Sequence, residues 1–237
     1  MEDITNYEFT VFDEWSLYDQ IIERNYMKHV EISAAVRQDL SPPSQIAEVW
    51  DLGCGCGSMA AKILSGWSVP KYTGVDVSQA GLARINTNLS SSASELCAES
   101  SEIVSFLERP VSICPSVILA SFSLHHFPMD EIEKVLDLIV KHMDAKSRLV
   151  WIDPVRQSHE SREEFNRRFL LEISESWTSL TPEQILEVDE HITQYDFPLD
   201  PIERERLISL AGLHGQSVSY RDPFFTAEIF TRASAAE

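Results

Sequence analysis

The stretch Val49-Trp50-Asp51-Leu52-Gly53-Cys54-Gly55-Cys56-Gly57 joins a short apolar run to three closely spaced glycines. Residues 58–64, which follow, have helix-forming character, so the pattern predicts a strand, a tight loop and a helix in that order. Glycines adopt backbone angles that other residues avoid, and they let a ligand approach the main chain. The free N–H groups at the start of a helix favour an electron-rich ligand. The stretch therefore predicts a nucleotide-type binding loop.

Strand-like and helix-like segments alternate along the chain after this loop. Such alternation predicts an α/β fold with a parallel sheet and helices on both of its faces. Two late apolar runs, 216–220 and 224–231, predict a closing pair of strands. The other predicted strands are 46–52, 72–77, 96–98, 116–121 and 148–153, and the predicted helices between them are 79–89, 102–108 and 129–143.

An acidic residue ends the second predicted strand. Asp76 lies 23 residues after Gly53, where a carboxylate can accept hydrogen bonds from both hydroxyls of a ribose. The third glycine comes one residue earlier than in the dinucleotide pattern G-x-G-x-x-G, and Asp51 before the loop would repel a pyrophosphate. The Asp51 carboxylate would instead support an ammonium group, through water or the loop backbone. S-adenosylmethionine (SAM) has such a group and no phosphate.

With these residues the chain resembles the class I SAM-dependent methyltransferases of the small-molecule type. The resemblance is carried by residues 49–57, 74–78 and 116–126. It implies a Rossmann-like, seven-stranded, mostly parallel sheet with an antiparallel closing strand, and SAM as the cofactor with S-adenosylhomocysteine as its product. The cofactor-binding residues that it implies are Asp51, Gly53, Cys54, Gly55 and Gly57 in the loop, Asp76 for the ribose, Val77 and Glu99 for the adenine, and Ser121 beside the methyl donor.

Two adjacent histidines follow the fourth predicted strand. His125 and His126 stand in the sequence Leu124-His125-His126-Phe127-Pro128, which resembles small-molecule members of the family. The [Asn/Asp]-Pro-Pro-[Tyr/Phe] element of the families that methylate amide or exocyclic nitrogens is absent here. Imidazole titrates near neutral pH, so His125 is the leading candidate for a catalytic base and His126 the second. In the alternative interpretation, His126 caps or packs the next helix and His125 is scaffold.

The methyl acceptor is expected beyond the carboxyl ends of the strands, under the segments that cover this edge. The N-terminal helices and the stretch 189–198 are the predicted covers. Each candidate also has a plainer interpretation: the aromatics as packing between helices, Asp153 as a helix cap and Arg156 as a surface ion pair. The candidate substrate-binding residues are Tyr18, Tyr26, His29, Asp153, Arg156, His191 and Tyr195.

Composition argues against several classes of partner. The chain has 19 basic and 38 acidic residues, a net charge of −19, with no basic patch, which disfavours nucleic acid and anionic membranes. Metal-dependent members of the fold need two or three acidic or amide ligands at the ends of the fourth and fifth strands, where only Asp153 fits, and Cys54 and Cys56 lack two further ligands, so no metal is expected. Four cysteines form no disulfide framework and the acidic N-terminus is unlike a targeting peptide, so a cytoplasmic location is expected.

These features predict an enzyme that transfers a methyl group from SAM to an oxygen or nitrogen of a small molecule by in-line displacement. The alternatives are an NAD(P)-dependent oxidoreductase and a SAM-binding protein without catalysis. The acidic residues near the predicted site favour a neutral or cationic acceptor. The predicted domains are an N-terminal helical lid at 1–45, a SAM-binding core at 46–155, a helical cap insertion at 156–200, and a C-terminal helix with the closing strand pair at 201–237.

Overall fold

The computed structural model describes residues 15–40, 46–110 and 113–232. The strands are β1 Glu48–Leu52, β2 Val69–Asp76, β3 Ala93–Ser100, β4 Val117–Ser121, β5 Arg148–Pro154, β6 Leu213–Arg221 and β7 Phe225–Arg232. The helices are α1 Trp15–Glu23, α2 His29–Leu40, α3 Ser58–Ile63, α4 Gln79–Leu82, α5 Ile85–Leu89, α6 Ile103–Leu107, α7 Met129–Lys141, α8 Arg162–Ser176, α9 Pro182–Tyr195 and α10 Pro201–Leu210. A short 3₁₀ turn covers Leu124–His126.

The strands form one seven-stranded sheet in the order β3-β2-β1-β4-β5-β7-β6. The pairings of β1 with β2 and β4, of β2 with β3 and of β4 with β5 are parallel. Strand β7 lies between β5 and β6 and runs antiparallel to both. The predicted mostly parallel sheet with an antiparallel closing strand is confirmed. We call the edge at which β1, β2, β4 and β5 end the carboxyl edge.

Both faces of the sheet are covered by helices, as predicted. Side chains alternate along a strand, so Val49 joins the core beneath α2, α3 and α8 while Trp50 joins the core beneath α7 and α10. Helix α2 supplies Ile32 and Val36, and α8 supplies Phe165, to the first of these cores. The predicted lid and cap therefore share a core with the sheet. The domain boundaries themselves stay a prediction, and the lid residues 1–14 and 41–45 lie outside the described ranges.

Two predicted elements differ from the structure. The helix predicted at 79–89 is split into α4 and α5, which separate at residues 83–84. The strand predicted at 96–98 extends over Ala93–Ser100. Because β3 is an edge strand that is only partly covered, half of its side chains are polar, and no continuous apolar run marks its full length. Within the described ranges, no helix combines the length and apolar composition needed to cross a bilayer.

A buried arginine joins α10 to the closing strands. Arg204 is 3% exposed, and its Nε and a terminal nitrogen donate to Oε2 of Glu228 at 2.9 and 2.7 Å. Its guanidinium lies 3.6 Å from the ring centroid of Trp151 in β5. Removing one member of a buried ion pair leaves the other charge poorly compensated, which costs more than the pair itself contributes.

We expect Arg204→Leu to lower the free energy of unfolding by about 3 kcal/mol, because Glu228 would keep only the more exposed Arg221 as an ionic partner. Urea denaturation followed by circular dichroism measures this change. Arg206→Leu, on the exposed side of the same helix, is the matched control and should change stability by less than about 0.5 kcal/mol. Equal effects of the two substitutions would contradict the role given to Arg204.

Candidate functional site

The glycine loop connects β1 to α3 at the carboxyl edge. The backbone N–H groups of Gly53 and Cys54 donate to the carbonyl of Val75 at 2.8 and 3.1 Å, which ties the loop to β2. Gly53, Gly55 and Gly57 have φ angles of 69°, 52° and 73°, in the left-handed region that favours glycine. A Cβ at Gly53 would lie 2.4 Å from Cβ of Ser123, so the loop is also sterically closed to side chains there.

Asp76 is bound to this loop through its carboxylate. Its Oδ2 accepts the N–H of Gly55 at 2.7 Å and its Oδ1 accepts the N–H of Ser78 at 2.8 Å. Burial raises the pKa of Asp76, and these N–H groups only partly offset that effect. Each carboxylate oxygen has a second lone pair, so the side chain can still accept two hydroxyl groups. Val77 follows with 48% of its surface exposed, a flat apolar contact beside the acid.

Asp51 lies on the other side of the loop and is buried. The hydroxyl of Tyr72 donates to its Oδ2 at 2.7 Å, whereas its Oδ1 is buried without a hydrogen-bond partner among the described residues. Burial raises the pKa of Asp51 to about 7; the Tyr72 hydrogen bond opposes this effect and the nearby Asp76 adds to it. A buried carboxylate oxygen without a partner can bind a cationic group such as the ammonium of SAM.

The other cofactor candidates differ in what their side chains contact. The Ser121 hydroxyl at the end of β4 is buried without a partner in the described part of the chain, which suits a ligand contact. Glu99 lies within β3, not after it, and forms an ion pair with Arg109. The Cys54 thiol lies against Gly74, where an added Cβ would be 2.9 Å from its sulfur. Only the backbone of Cys54 is therefore available to a ligand.

Five side chains form a polar group at the ends of β4 and β5, which we call the His–Asp cluster: His125, His126, Asp153, His191 and Asp196. Nδ1 of His125 lies 2.7 Å from Oδ1 of Asp153. Oδ1 of Asp196 lies 3.6 Å from Nε2 of His125, 3.3 Å from Nδ1 of His126 and 3.5 Å from Nε2 of His191. Two carboxylates thus hold three imidazoles together, with His126 the most exposed of the five.

The charges in this cluster act on one another. Burial lowers the pKa of His125, but Asp196 and Asp153 more than offset it, so the pKa lies above the ordinary imidazole value. Burial lowers the pKa of His191 to about 4, although Asp196 acts in the opposite direction. For Asp196, burial raises the pKa and the neighbouring imidazoles, led by His125, bring it below its ordinary value. The charge of His126 also acts on Asp76, so the cluster lies beside the glycine loop.

One part of the sequence matches a family model. Residues 49–146, which are less than half of the chain, match a model described as a methyltransferase domain. The matched residues run from β1 to the turn before β5, so they include the glycine loop, Asp76 and both adjacent histidines.

Solved structures resemble this chain over more than nine-tenths of its length. The mitomycin 7-O-methyltransferase MmcR has 18% identity and a TM-score of 0.56 over 92% of this chain, which spans only 60% of that protein. The plantazolicin methyltransferase BpumL, in complex with SAH, has 13% identity and a TM-score of 0.63, covering 93% of this chain and 90% of its own. The magnesium protoporphyrin IX methyltransferase ChlM from Synechocystis PCC 6803, with bound SAH, has 13% identity and a TM-score of 0.62, covering 95% of both chains. These likenesses show the fold, and no curated protein matches the sequence.

Several residues expected to bind the acceptor are occupied with other contacts. The Tyr26 hydroxyl donates to Oγ of Ser179 at 2.8 Å and its ring stacks on Trp177 at 5.1 Å, so it fastens the α1–α2 turn to the α8–α9 turn. Arg156 is paired with Glu203 and donates to the Pro198 carbonyl at 2.6 Å, as in its plainer interpretation as an ion pair, and its role in substrate binding stays a prediction.

The remaining acceptor candidates are distributed over three places. Tyr18 lies on the cofactor side, because burial and then Cys56, Asp76 and Asp51 raise the pKa of its phenol. His29 is 1% exposed, and neither ring nitrogen has a partner among the described residues. Tyr195 packs against His191 with ring centroids 5.5 Å apart. Asp153 does not cap a helix; it holds His125.

Two members of this site are not distinguished by the sequence: Asp196 is only one of several acids in the predicted cover at 189–198, and no pattern points to Phe122. Asp196 forms the centre of the His–Asp cluster, yet it follows α9 and is separated from His125 by 71 positions. Phe122 has a φ of 54°, unusual for a bulky residue, and its ring lies 5.1 Å from His29 and 5.7 Å from Phe225. The spacing of His191 and Asp196 around the end of α9 is the signal in the sequence that could have indicated the role of Asp196.

The close approach of the glycine loop to Ser123 gives a stability prediction. We expect Gly53→Ala to lower the free energy of unfolding by about 2 kcal/mol or more, through its φ and the contact with Ser123. Gly212→Ala is the matched control, because Gly212 has a φ of 68° and no atom within 4 Å of an added Cβ. Urea denaturation measures the free energy of unfolding of both variants, and the difference between their losses gives the effect of the contact with Ser123. An equal loss in the two variants would contradict a steric contribution from that contact.

The raised pKa of Asp51 gives a pH dependence. Because the folded pKa of about 7 exceeds the ordinary value of 3.8, protonated Asp51 favours the fold at low pH, and this contribution is lost as the pH rises toward 7. We therefore expect Asp51→Asn to raise the melting temperature of the ligand-free protein more at pH 8 than at pH 5. Asp137→Asn, at an exposed site, changes the charge equally and should show no such trend. A pH-independent difference for Asp51→Asn would contradict the assignment.

Proposed function

We propose that the protein is a SAM-dependent methyltransferase of the EC 2.1.1 type that acts on an oxygen or nitrogen of a small molecule. The observation that carries this proposal is the glycine loop with a carboxylate on each side, Asp51 with an unpartnered buried oxygen and Asp76 bound to Gly55. This arrangement suits a cationic, phosphate-free nucleoside and would repel a pyrophosphate.

Each part of SAM has a counterpart in the described residues. Asp51 would balance the ammonium, Asp76 would accept both ribose hydroxyls, and Val77 would pack on the adenine. Glu99 is a weaker adenine contact, since Arg109 already pairs with it. When bound, SAM would supply a methyl group that is activated by the positively charged sulfur and that is transferred to a lone pair of the acceptor. The protein then has to align the acceptor with this methyl group and exclude water.

The acceptor side of the proposed reaction centre is the region between Ser121, the His–Asp cluster and His29. His29 is buried without a partner and packs on Phe122 directly after β4, and burial lowers its pKa to about 4. A neutral imidazole there can accept a hydrogen bond from an acceptor hydroxyl or amine. The catalytic role given to His125 and His126 stays a prediction, supported by the position of their cluster beside the cofactor loop.

The class of acceptor follows from charge and from the related folds. The His–Asp cluster contributes two buried carboxylates, and Arg156 is already paired, which favours a neutral or cationic acceptor over an anionic one. The related structures are named for methyltransferases of mitomycin, plantazolicin and magnesium protoporphyrin IX, which are small organic molecules. The four free cysteines suit a reducing cytoplasm as the place of action.

Ligand binding separates this proposal from the alternatives. We expect SAM and S-adenosylhomocysteine to raise the melting temperature and NAD to leave it unchanged, and we expect Asp76→Ala to weaken SAM binding at least tenfold. Isothermal titration calorimetry measures the affinity. Asp137→Ala is the control for loss of an acidic side chain. Stabilisation by NAD alone would support the oxidoreductase instead.

Turnover separates an enzyme from a SAM-binding protein. Incubating the protein with methyl-labelled SAM and a metabolite pool should give a labelled small-molecule product by mass spectrometry. We expect His29→Phe to lower kcat/KM about tenfold or more while SAM affinity is retained, because the acceptor would lose one buried hydrogen bond. His125→Gln should lower turnover with the same retention, and the exposed His214→Gln should have no effect. SAM binding without any labelled product would favour the non-catalytic alternative.

A further inference from the structure

The His–Asp cluster brings three metal-ligand atoms together in a buried place. One donor atom from each of His125, His126 and Asp196 lies within 4.8 Å of the other two. Two of these residues are nearly inaccessible, His125 at 6% and Asp196 at 5% exposure. We propose that His125, His126 and Asp196 form a binding site for a divalent transition-metal ion such as Zn²⁺, with Nε2, Nδ1 and Oδ1 as the respective ligands.

The distances between the donor atoms fit a shared ion better than direct hydrogen bonds. Oδ1 of Asp196 is 3.6 Å from Nε2 of His125 and 3.3 Å from Nδ1 of His126. A charge-assisted N–H···O bond is about 2.8 Å long. Two ligands held about 2.1 Å from one tetrahedral ion are separated by about 3.4 Å. Two of the three separations in the cluster therefore match those of ligands on one ion, and the third pair of donor atoms lies within 4.8 Å.

The oxygen at the centre of the site lacks an ordinary hydrogen bond. Oδ1 of Asp196 is buried and accepts none from the described residues, although three imidazoles surround it. A buried carboxylate oxygen needs a positive partner, and an ion bound to both imidazoles supplies one. Two nitrogens and one oxygen form a ligand set that suits Zn²⁺ and its transition-metal neighbours better than Mg²⁺ or Ca²⁺.

A second layer of contacts orients the ligands. Nδ1 of His125 faces Oδ1 of Asp153 at 2.7 Å, so when this nitrogen donates, the lone pair of Nε2 faces Asp196. Asp153 is itself fixed by the indole N–H of Trp151 at 2.6 Å and by the N–H of Ser123 at 3.1 Å. A carboxylate behind a ligating histidine is a frequent arrangement at metal sites. On the opposite side, Arg162 donates to the Asp196 carbonyl at 2.6 Å and holds the backbone of that ligand.

The proposed site has three protein ligands. Nε2 of His191 is 3.5 Å from Oδ1 of Asp196 but is outside the group of three mutually close atoms. An ion with three protein ligands keeps a position for water or for an acceptor oxygen. If the proposed methyl transfer holds, an acceptor bound there would be deprotonated more easily, and His125 and His126 would then act as ligands of the ion and not as the catalytic base; the binding of the ion itself does not depend on that function.

Metal binding is tested on the whole ligand-free protein after treatment with a chelator. Titration with Co²⁺, followed by its visible absorption, should show one bound ion with the d–d bands of a tetrahedral or five-coordinate nitrogen–oxygen site. Competition with Zn²⁺ should remove these bands. A thiolate charge-transfer band would place the ion at the cysteines instead and would overturn the proposal.

Substitutions locate the ion within the cluster. We expect Asp196→Asn and His126→Gln each to weaken Co²⁺ binding at least tenfold, and Asp153→Asn to weaken it about tenfold through His125. Asp189→Asn, on α9, and His214→Gln, on β6, are the controls and should bind as the unaltered protein does. Circular dichroism of each variant establishes folding, and His126, which is partly exposed, is the substitution least prone to unfold the chain.

The competing occupant of the cluster is a proton on His125, which would pair with both carboxylates. In that case no stoichiometric metal binding occurs, and ¹⁵N NMR shows both ring nitrogens of His125 protonated at neutral pH. That result, or unchanged Co²⁺ binding by Asp196→Asn, would overturn the proposal. Neither measurement uses SAM or an acceptor, so a failure of metal binding is distinguishable from a failure of the proposed methyl transfer.

Discussion

The carboxylate of Asp153 is the contact on which the carboxyl edge of the sheet depends. It is 1% exposed and receives the Trp151 indole, the Ser123 backbone and the His125 ring. These three donors come from β5, from the segment after β4 and from the 3₁₀ turn. A buried carboxylate is tolerated only when its oxygens are satisfied in this way. The chain after β4 is thereby held in one conformation, in which Phe122 has a positive φ and the two adjacent histidines point toward α9.

The positions of most strands along the chain and the glycine loop could be predicted, because both depend on local sequence. Apolar runs mark β1, β4 and β5, and the loop requires glycine at Gly53 and Gly57 for reasons of backbone angle and space. Strand β3 was underestimated, because an edge strand need not be apolar. The break between α4 and α5 was missed as well, since no proline marks it.

The composition of the site was harder to predict, because it depends on tertiary contacts. Asp196 reaches His125 across 71 positions, and nothing in a single sequence states which acid meets which histidine. The side chains expected to line the pocket are divided between several tasks: Tyr26 and Arg156 join covering segments to one another, while His29 is buried without a partner. Asp196 follows a helix and not a strand, so its place beside the strand ends cannot be read from the strand pattern.

The contact between Tyr26, Ser179 and Trp177 has a kinetic consequence. Gln20 of α1 also donates to the Ser179 carbonyl at 2.8 Å, so the N-terminal helices and the α8–α9 turn are fastened at more than one point. Tyr18, on the same helix as Gln20, lies beside the glycine loop. Displacing either covering segment from the sheet would therefore break its contacts with the other. If the proposed function holds, the entry of SAM and the entry of the acceptor would depend on the same contacts.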